Sequence, residues 1–234
     1  MKRGLFPILL VCLSLCSFGQ TISLTGGAYT QDFNTLATSG TANTILPSGW
    51  FFVETGSNAN TTYAADAGTN TAGNTYSYGT GTNADRAFGG LQSGSLVPTI
   101  GAGFTNNTGF AVTSLIISYT GEQWRLGTTG RADRIDFQYS LDATAINNGT
   151  WTNVDQLDFS SPSTTTVGAL DGNNALNRTA ISFTITGLNI APGATVYIRW
   201  NSFDASGADD GLSVDDFSIT PDNTLTTTVS VATT

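Results

Sequence analysis

Short runs in which apolar and polar residues alternate are the feature that most constrains the fold of this chain. In Arg134–Ser140 every second residue is apolar, and residues 181–185 repeat the pattern. A period of two is typical of β-strands that bury one face. Residues 112–119 and 195–200 are apolar at consecutive positions, which predicts central strands that are covered more completely.

Composition extends the β prediction to the rest of the chain. Thr, Gly, Asn and Ser are abundant, whereas good helix formers are scarce and Glu occurs only as Glu54 and Glu122. Further strands are predicted at residues 30–33, 50–54, 76–78, 86–91, 96–104, 151–159 and 212–220. Together these short strands predict an all-β fold, an antiparallel jelly-roll-like β-sandwich of about 10–13 strands.

Residues 1–19 have the features of a secretory signal peptide. Lys2 and Arg3 make a basic start, and the apolar residues that follow are fewer than the about 20 that cross a bilayer. Ser17 and Gly19 are small, so we expect cleavage after Gly19 and a secreted or cell-surface protein. Both cysteines lie in this segment, so the mature chain would have no disulfide and no thiol.

The remaining chain is predicted to form one domain and a tail. Residues 20–220 fit a single β-domain, because such domains commonly run to about 200–250 residues. Residues 221–234 are Thr-rich and lack a turn glycine, which predicts a linker or tail within a larger exported protein. No apolar run after residue 20 is long enough for a membrane span. We expect the module to be monomeric.

The charged residues exclude several kinds of chemistry. Without residues 1–19 the chain has six Arg, no Lys, no His and 17 acidic residues, which is a net charge of −11. The lack of His excludes Ser-His-Asp and Cys-His nucleophile systems, and the lack of Lys excludes Schiff-base chemistry. Six scattered Arg on an acidic chain do not form the basic patch that nucleic acids need. No nucleic-acid partner is therefore expected.

Two long stretches lack the alternation of strands. Residues 55–85 and 160–177 are rich in Gly, Asn, Thr and Ala or otherwise polar. In a sandwich such stretches are expected at the sheet ends or along one edge, where binding residues usually lie. In the alternative interpretation, these stretches are turns with inserted residues and an extra edge strand.

Acidic residues near the end of the predicted domain form a candidate metal site. The set within thirteen residues comprises Asp204, Asp209, Asp210, Asp215 and Asp216. A jelly roll places its first and last strands side by side, so Asp32 could join them. Calcium takes about six to eight oxygen ligands, and the set predicts one structural Ca²⁺. Residues 215–216 also interrupt the alternation, which indicates a bulge. As an alternative, residues 209–211 form a solvated turn, and Asp215 and Asp216 pair with Arg or protect an edge.

A second group of residues has the side chains that commonly bind a sugar. Its members are Glu122, Trp124, Arg125, Tyr197 and Arg199. Sugars are held by an aromatic face and by planar hydrogen-bonding groups, which these residue types provide. In the alternative interpretation, Trp124 and Trp200 enter the core, and Arg125, Arg134 or Arg199 pair with Glu122, Asp133 or Asp136. Glycoside hydrolysis would need two facing carboxyl groups about 5–9.5 Å apart, one with a raised pKa.

Several short motifs resemble those of a known kind of module. Residues 31–34 (Gln-Asp-Phe-Asn), 46–50 (Leu-Pro-Ser-Gly-Trp) and 211–219 resemble the start and end of cleaved-adhesin domains, which are similar to the MAM fold. Residues 85–91 and 119–125 resemble the N-terminal module of large exported Bacteroidota and cyanobacterial proteins. The resemblance implies a non-catalytic jelly roll for adhesion, ligand binding or spacing.

These observations predict an exported, non-catalytic module for adhesion or carbohydrate binding. Its partner would be a surface glycan or an extracellular protein. A purely structural spacer and a glycoside hydrolase are the alternatives. An exposed row of Trp or Tyr would favour binding, a fully buried aromatic set would favour the spacer, and a cleft with paired carboxylates would favour the enzyme.

Overall fold

The computed structural model of this protein describes residues 20–81 and 83–223. The predicted signal peptide, residues 1–19, lies outside the described residues. So does the predicted tail from residue 224 onward. Residues 221 and 222 belong to the last strand, so the domain extends slightly beyond its predicted end at residue 220.

The described chain is built from fifteen β-strands and one short 3-10 helix, Asp155–Leu157. In chain order the strands are β1 (Ile22–Leu24), β2 (Tyr29–Gln31), β3 (Trp50–Thr55), β4 (Ala64–Asp66), β5 (Asn74–Tyr78), β6 (Ala87–Leu91), β7 (Val97–Asn106), β8 (Val112–Leu126), β9 (Arg134–Ser140), β10 (Thr152–Asn153), β11 (Phe159–Ser160), β12 (Gly168–Ala169), β13 (Arg178–Ile190), β14 (Thr195–Ser202) and β15 (Gly211–Asp222).

The strands form two sheets that pack as a β-sandwich. Sheet I contains β1, β3, β7, β14, β9, β10 and β11, and sheet II contains β2, β4, β5, β6, β8, β12, β13 and β15. Both strands that were predicted to be central have a neighbour on each side. β14 lies between β7 and β9, and β8 lies between β13 and β15. The first and last strands of sheet II are neighbours, because Gln31 pairs with Phe217. The all-β sandwich prediction is confirmed.

Three details of the structure differ from the prediction. There are fifteen strands in the described chain instead of about 10–13, and the pairs β1–β7 and β4–β5 are parallel. Residues 151–159, predicted as one strand, are divided by the 3-10 helix into β10 and the start of β11. The strands that were missed have two or three residues, which is too short for an alternation to show.

An aromatic cluster forms the centre of the core between the sheets. The rings of Trp50 and Trp200 are nearly parallel, with centroids 6.2 Å apart. Phe217 meets both edge-on, at 5.2 Å and 5.8 Å. Each of these residues comes from a different strand, so the cluster ties sheet I to sheet II. Large aromatic side chains bury much apolar surface, and the edge-on pairs add to that stabilisation.

A second apolar layer lies on the outer face of sheet II. Its members are Ala64, Tyr76, Tyr78, Ala87, Leu91 and Trp124. The two long polar stretches contribute strands at the edges of sheet II, as expected: residues 55–85 contain β4 and β5, and residues 160–177 contain β12. They also contact this layer. Leu170 N donates to Trp124 O at 2.8 Å, and Gly172 lies so close to the indole that a Cβ there would collide with it. The polar composition of these stretches concealed their packing role.

Candidate functional site

The exposure of the four tryptophans decides where an aromatic binding surface can lie. Trp50, Trp124 and Trp200 are at most 2 % exposed, whereas Trp151 is partly exposed. Trp151 packs with five other residues on the outer face of sheet I, and we call this group the outer aromatic patch. It consists of Phe51, Val53, Ala143, Ile146, Trp151 and Tyr197.

Two glycines of β7 make room for the patch. Gly103 pairs with Tyr197, and Gly101 pairs with Phe51 on the other side of the strand. A Cβ at Gly103 would collide with the Tyr197 ring, and one at Gly101 would press on Ile146. Because neither glycine has a side chain, the tyrosine ring and the isoleucine can lie flat across the strand.

The loop between β9 and β10 is anchored on this face. Trp151 Nε1 donates to Asn148 O at 2.7 Å, and Arg199 Nη1 donates to Ile146 O at 2.9 Å. Asp142 Oδ1 accepts a bond from Thr150 N at 2.7 Å, which lowers the pKa of its carboxyl. The loop is therefore held by Arg199 of β14 and by hydrogen bonds among its own residues.

A pocket of about 230 Å³ lies between this loop and β3. It is lined by Thr144, Ala145, Ile146, Tyr197 and residues 51–53. Beside it, the Arg199 guanidinium lies 4.0 Å from the centre of the Trp151 ring, and its Nε donates to Gln138 Oε1 at 2.7 Å. The site thus combines an apolar floor with planar polar groups at its edge. Of these residues, only Tyr197 and Arg199 were predicted from the sequence as binding residues. Consecutive apolar residues in β3 were a signal for Phe51.

The structure does not bring the five predicted sugar-binding residues together. Tyr197 and Arg199 lie on sheet I, whereas Glu122, Trp124 and Arg125 lie on sheet II. Trp124 stacks on Tyr78 with centroids 5.9 Å apart, and Gly172 covers it. Its face is therefore not a platform for a ligand. Trp200 is in the core as the alternative interpretation expected, while Trp124 belongs to the outer layer of sheet II.

Glu122 and Asp215 form a buried carboxyl pair. Glu122 pairs with Ser213 and Thr120 pairs with Asp215, which places both carboxyl groups on the same face of sheet II as diagonal neighbours. Glu122 is 1 % and Asp215 5 % exposed. Trp124 Nε1 donates to Glu122 Oε2 at 2.9 Å, and Glu122 Oε1 has no hydrogen-bond partner among the described residues.

Burial raises the pKa of both carboxyl groups, and repulsion from Glu122 adds to the rise at Asp215. Burial raises the pKa of Glu122 to about 7 against the opposing bond from Trp124, and Asp85 and Asp216 add to the rise. Burial raises the pKa of Asp215 to about 8, with Glu122 the next contributor. Glycoside hydrolysis needs a carboxyl group with a raised pKa, and this pair has that property. Both carboxyl groups are, however, too buried for a substrate to reach in this structure.

The six aspartates proposed as calcium ligands fall into separate places. Asp32 and the exposed Asp216 line a shallow pocket of about 380 Å³ where β2 meets β15. The predicted bulge is present, since the register shifts after Asp215 and Asp216 has φ of +48°. Asp215 itself keeps the regular pairing with Thr120 beside Glu122, and its Oδ1 accepts a bond from Asp216 N at 2.7 Å. Asp204, Asp209 and Asp210 precede β15. In the part of the chain that the structure describes, no three acidic side chains are placed to share an ion.

Residues 209–211 are not the solvated turn of the alternative interpretation. Asp210 is 4 % exposed and accepts bonds from Gly127 N at 2.7 Å, Gln123 Nε2 at 2.9 Å and Ser161 Oγ at 2.5 Å. Burial raises the pKa of its carboxyl despite these bonds.

The predicted ion pairs were correct in one case. Arg134 pairs with Asp136, as the alternative interpretation expected. Asp133 pairs with Arg131, which had not been considered. Arg125 donates to Gly68 O at 3.2 Å, and Arg199 bonds to Gln138, so neither takes the acidic partner suggested for it.

Melting experiments with and without calcium test whether the six predicted aspartates bind the ion. Because the candidate ligands do not converge, we expect the same melting midpoint in chelator and in millimolar Ca²⁺. An ion at a hundredfold excess over its dissociation constant would stabilise the folded state by about 2.7 kcal/mol. A higher midpoint in Ca²⁺ that Asp216→Asn removes would instead locate a site where β2 meets β15.

The fold and the patch define an all-β sandwich domain with an apolar, partly aromatic pocket on one outer face. No family model and no curated protein matches the chain. Solved structures similar to it include the K3 cleaved adhesin domain of Lys-gingipain from Porphyromonas gingivalis, with 12 % identity over 74 % of this chain and 92 % of that one and a TM-score of 0.43.

Carbohydrate-binding modules are also similar. The TmCBM61 module in complex with β-1,4-galactotriose has 12 % identity over 59 % of this chain and 72 % of that one, with a TM-score of 0.34. A CBM4 structure has 16 % identity over 58 % and 91 %, with a TM-score of 0.30. At these values the likeness concerns the general sandwich and not the site. Within residues 20–81 and 83–223, no helix has the length and apolarity of a membrane span.

Proposed function

We propose that this chain is an exported, non-catalytic module that binds carbohydrate through the outer aromatic patch. One observation carries the proposal: the partly exposed Trp151 lies with Phe51 and Tyr197 beside a pocket flanked by Arg199. Trp50, Trp124 and Trp200 are buried in packing roles, so Trp151 is the tryptophan that a ligand can reach.

The chemistry of the patch suits a sugar ring. A pyranose has apolar C–H faces and a rim of hydroxyl groups. The partly exposed Phe51, Val53 and Trp151 offer the apolar contact, and Arg199 and Gln138 offer planar groups at the rim. A purely structural spacer would have no need for an apolar pocket open to solvent.

The net charge restricts which glycan fits. Without residues 1–19 the chain carries −11, which repels anionic polymers over a distance of about 8–10 Å at ordinary salt. A neutral or cationic surface glycan is therefore the proposed ligand. Binding by apolar contact should depend only weakly on salt concentration.

Replacing Phe51 with Ala tests the proposal. We expect the purified chain to be retained on an array of neutral glycans, and Phe51→Ala to lose about tenfold or more in affinity, as removal of a central aromatic contact usually does. Phe110→Ala is the matched control, because Phe110 is 41 % exposed and outside the patch. Equal retention of both variants, or no retention of the unaltered chain, would leave the spacer as the better interpretation.

A further inference from the structure

A further pocket lies on sheet II, and we call it the polar pocket because five polar side chains line it. It has a volume of about 250 Å³ and opens where β6 ends. The side chains that matter for its chemistry are Thr71, Gln92, Ser93, Arg125 and Asp209. They come from four segments that are distant in sequence. The outer aromatic patch lies on the other sheet, so the two sites are separate.

Two buried acceptors in this pocket have no donor. Gln92 is 6 % and Asp209 8 % exposed. Gln92 Oε1 and Asp209 Oδ1 have no hydrogen-bond partner among the described residues. Native proteins satisfy nearly all buried polar atoms, so two unbonded oxygens in the lining of one pocket point to a ligand that supplies donors.

The segments that hold these side chains are firmly anchored. On one side of Asp209, Ala208 N donates to Thr128 Oγ1 at 3.0 Å and Ala208 O accepts from Arg131 Nη2 at 2.7 Å. On the other side, Asp210 N donates to Asp133 Oδ2 at 2.7 Å.

The turn after Gln92 is closed by two backbone bonds between Ser93 and Leu96, at 2.9 Å and 3.1 Å. The backbone that carries both side chains is therefore fixed by hydrogen bonds.

Arg125 supplies the opposite chemistry. Its Nη1 donates to Gly68 O at 3.2 Å, and a guanidinium has five N–H donors in all. The pocket therefore offers donors beside unbonded acceptors. Burial raises the pKa of Asp209 to about 6, with Asp204 and Asp210 adding to the rise and Arg131 opposing it. At neutral pH the group is a carboxylate and only accepts.

This combination selects hydroxyl groups. An ammonium group only donates and would face the Arg125 cation. A carboxylate only accepts, and a phosphate is an anion with mostly acceptor oxygens, so either would face Gln92 Oε1 and be repelled by the Asp209 carboxylate. A hydroxyl accepts from a guanidinium and donates to an acceptor at once, and two neighbouring hydroxyls would use both acceptors.

We propose that this pocket binds adjacent hydroxyl groups of a neutral sugar, which accept from Arg125 and donate to Gln92 and Asp209. The ligand class is that of the proposed function, but the site is a different one, so either can fail without the other. If both hold, the module contacts a glycan on two faces, and joined sites raise the overall affinity.

Magnetic resonance of the side chains can test the pocket directly. The probes are glucose, galactose, mannose and xylose, with inorganic phosphate and ethylamine as comparison ligands. We expect at least one sugar to shift the Gln92 amide and Arg125 Nε resonances in a saturable way. Phosphate and ethylamine should not shift them. The Phe51→Ala variant should bind the sugar in this pocket as the unaltered chain does.

Gln92→Met separates binding from structure. It removes an acceptor that makes no bond in the protein, so the melting midpoint should stay the same or rise while sugar affinity falls about tenfold or more. Gln31→Met is the matched control on β2 and should bind normally. The proposal is overturned if no sugar shifts these resonances, if Gln92→Met binds as well as the unaltered chain, or if phosphate or ethylamine binds instead.

Discussion

Glu122→Gln is expected to stabilise the protein at about pH 8 and to flatten the dependence of its stability on pH. The folded state holds the Glu122 proton up to about pH 7, whereas the unfolded chain releases it near 4.5. Between these values the folded state binds more protons, so the free energy of unfolding falls as pH rises. The stabilising contribution is complete below the unfolded pKa and is lost by the time pH passes the folded one.

The magnitude follows from the size of the pKa shift. One pKa unit corresponds to about 1.4 kcal/mol. The ionisation of Glu122 alone should therefore lower the free energy of unfolding by on the order of 3 kcal/mol between mildly acidic and alkaline pH. Asp215, with a pKa raised to about 8, adds to the loss over a range that extends to higher pH. Gln at position 122 cannot ionise, and its amide can donate toward the Asp215 carboxylate.

Denaturant unfolding at several pH values provides the measurement, and Glu54→Gln is the control. Glu54 is the other glutamate and accepts bonds from Thr75 N, Thr75 Oγ1 and both Asn60 nitrogens, at 2.7 to 3.0 Å. Its replacement removes bonds to a charged acceptor and should destabilise the protein at neutral pH. A Glu122→Gln variant that is less stable than the unaltered chain at about pH 8 would contradict this account of the pair.

Trp124→Ala should destabilise the protein by roughly 3–5 kcal/mol, because removal of a buried aromatic side chain leaves a cavity. The indole is 1 % exposed, stacks on Tyr78, donates to Glu122 and is covered by Gly172. For a chain of this size each kcal/mol corresponds to about 2–4 °C in the melting midpoint. The expected fall is therefore on the order of 10 °C.

Glycan retention of the same variant distinguishes packing from binding. At a temperature where Trp124→Ala is still folded, we expect retention to equal that of the unaltered chain, because the outer aromatic patch is on the other sheet. Trp151→Phe is the comparison. Because Trp151 is partly exposed, this substitution should destabilise the protein less than Trp124→Ala does. An unmoved melting midpoint with lost retention in Trp124→Ala would make Trp124 the binding surface.

The alternation of residues was sufficient to predict most of the fold. Arg134–Ser140 forms β9 as predicted, and residues 181–185 lie within β13. The interruption at Asp215 and Asp216 indicated a bulge that is present. These features are encoded over a few consecutive residues, because in a strand the side chains alternate between the two faces wherever the strand lies.

Only the tertiary structure decided which faces are covered and which side chains meet. Alternation places Trp124 and Trp200 each on one face of a strand. Contacts with distant segments determined that Trp200 lies in the core and that Trp124 lies beneath Gly172. The polar pocket likewise joins Gln92, Arg125 and Asp209, which approach one another only when sheet II is assembled. The physical reason is that burial depends on contacts between segments remote in sequence, whereas periodicity records only the geometry of a single strand.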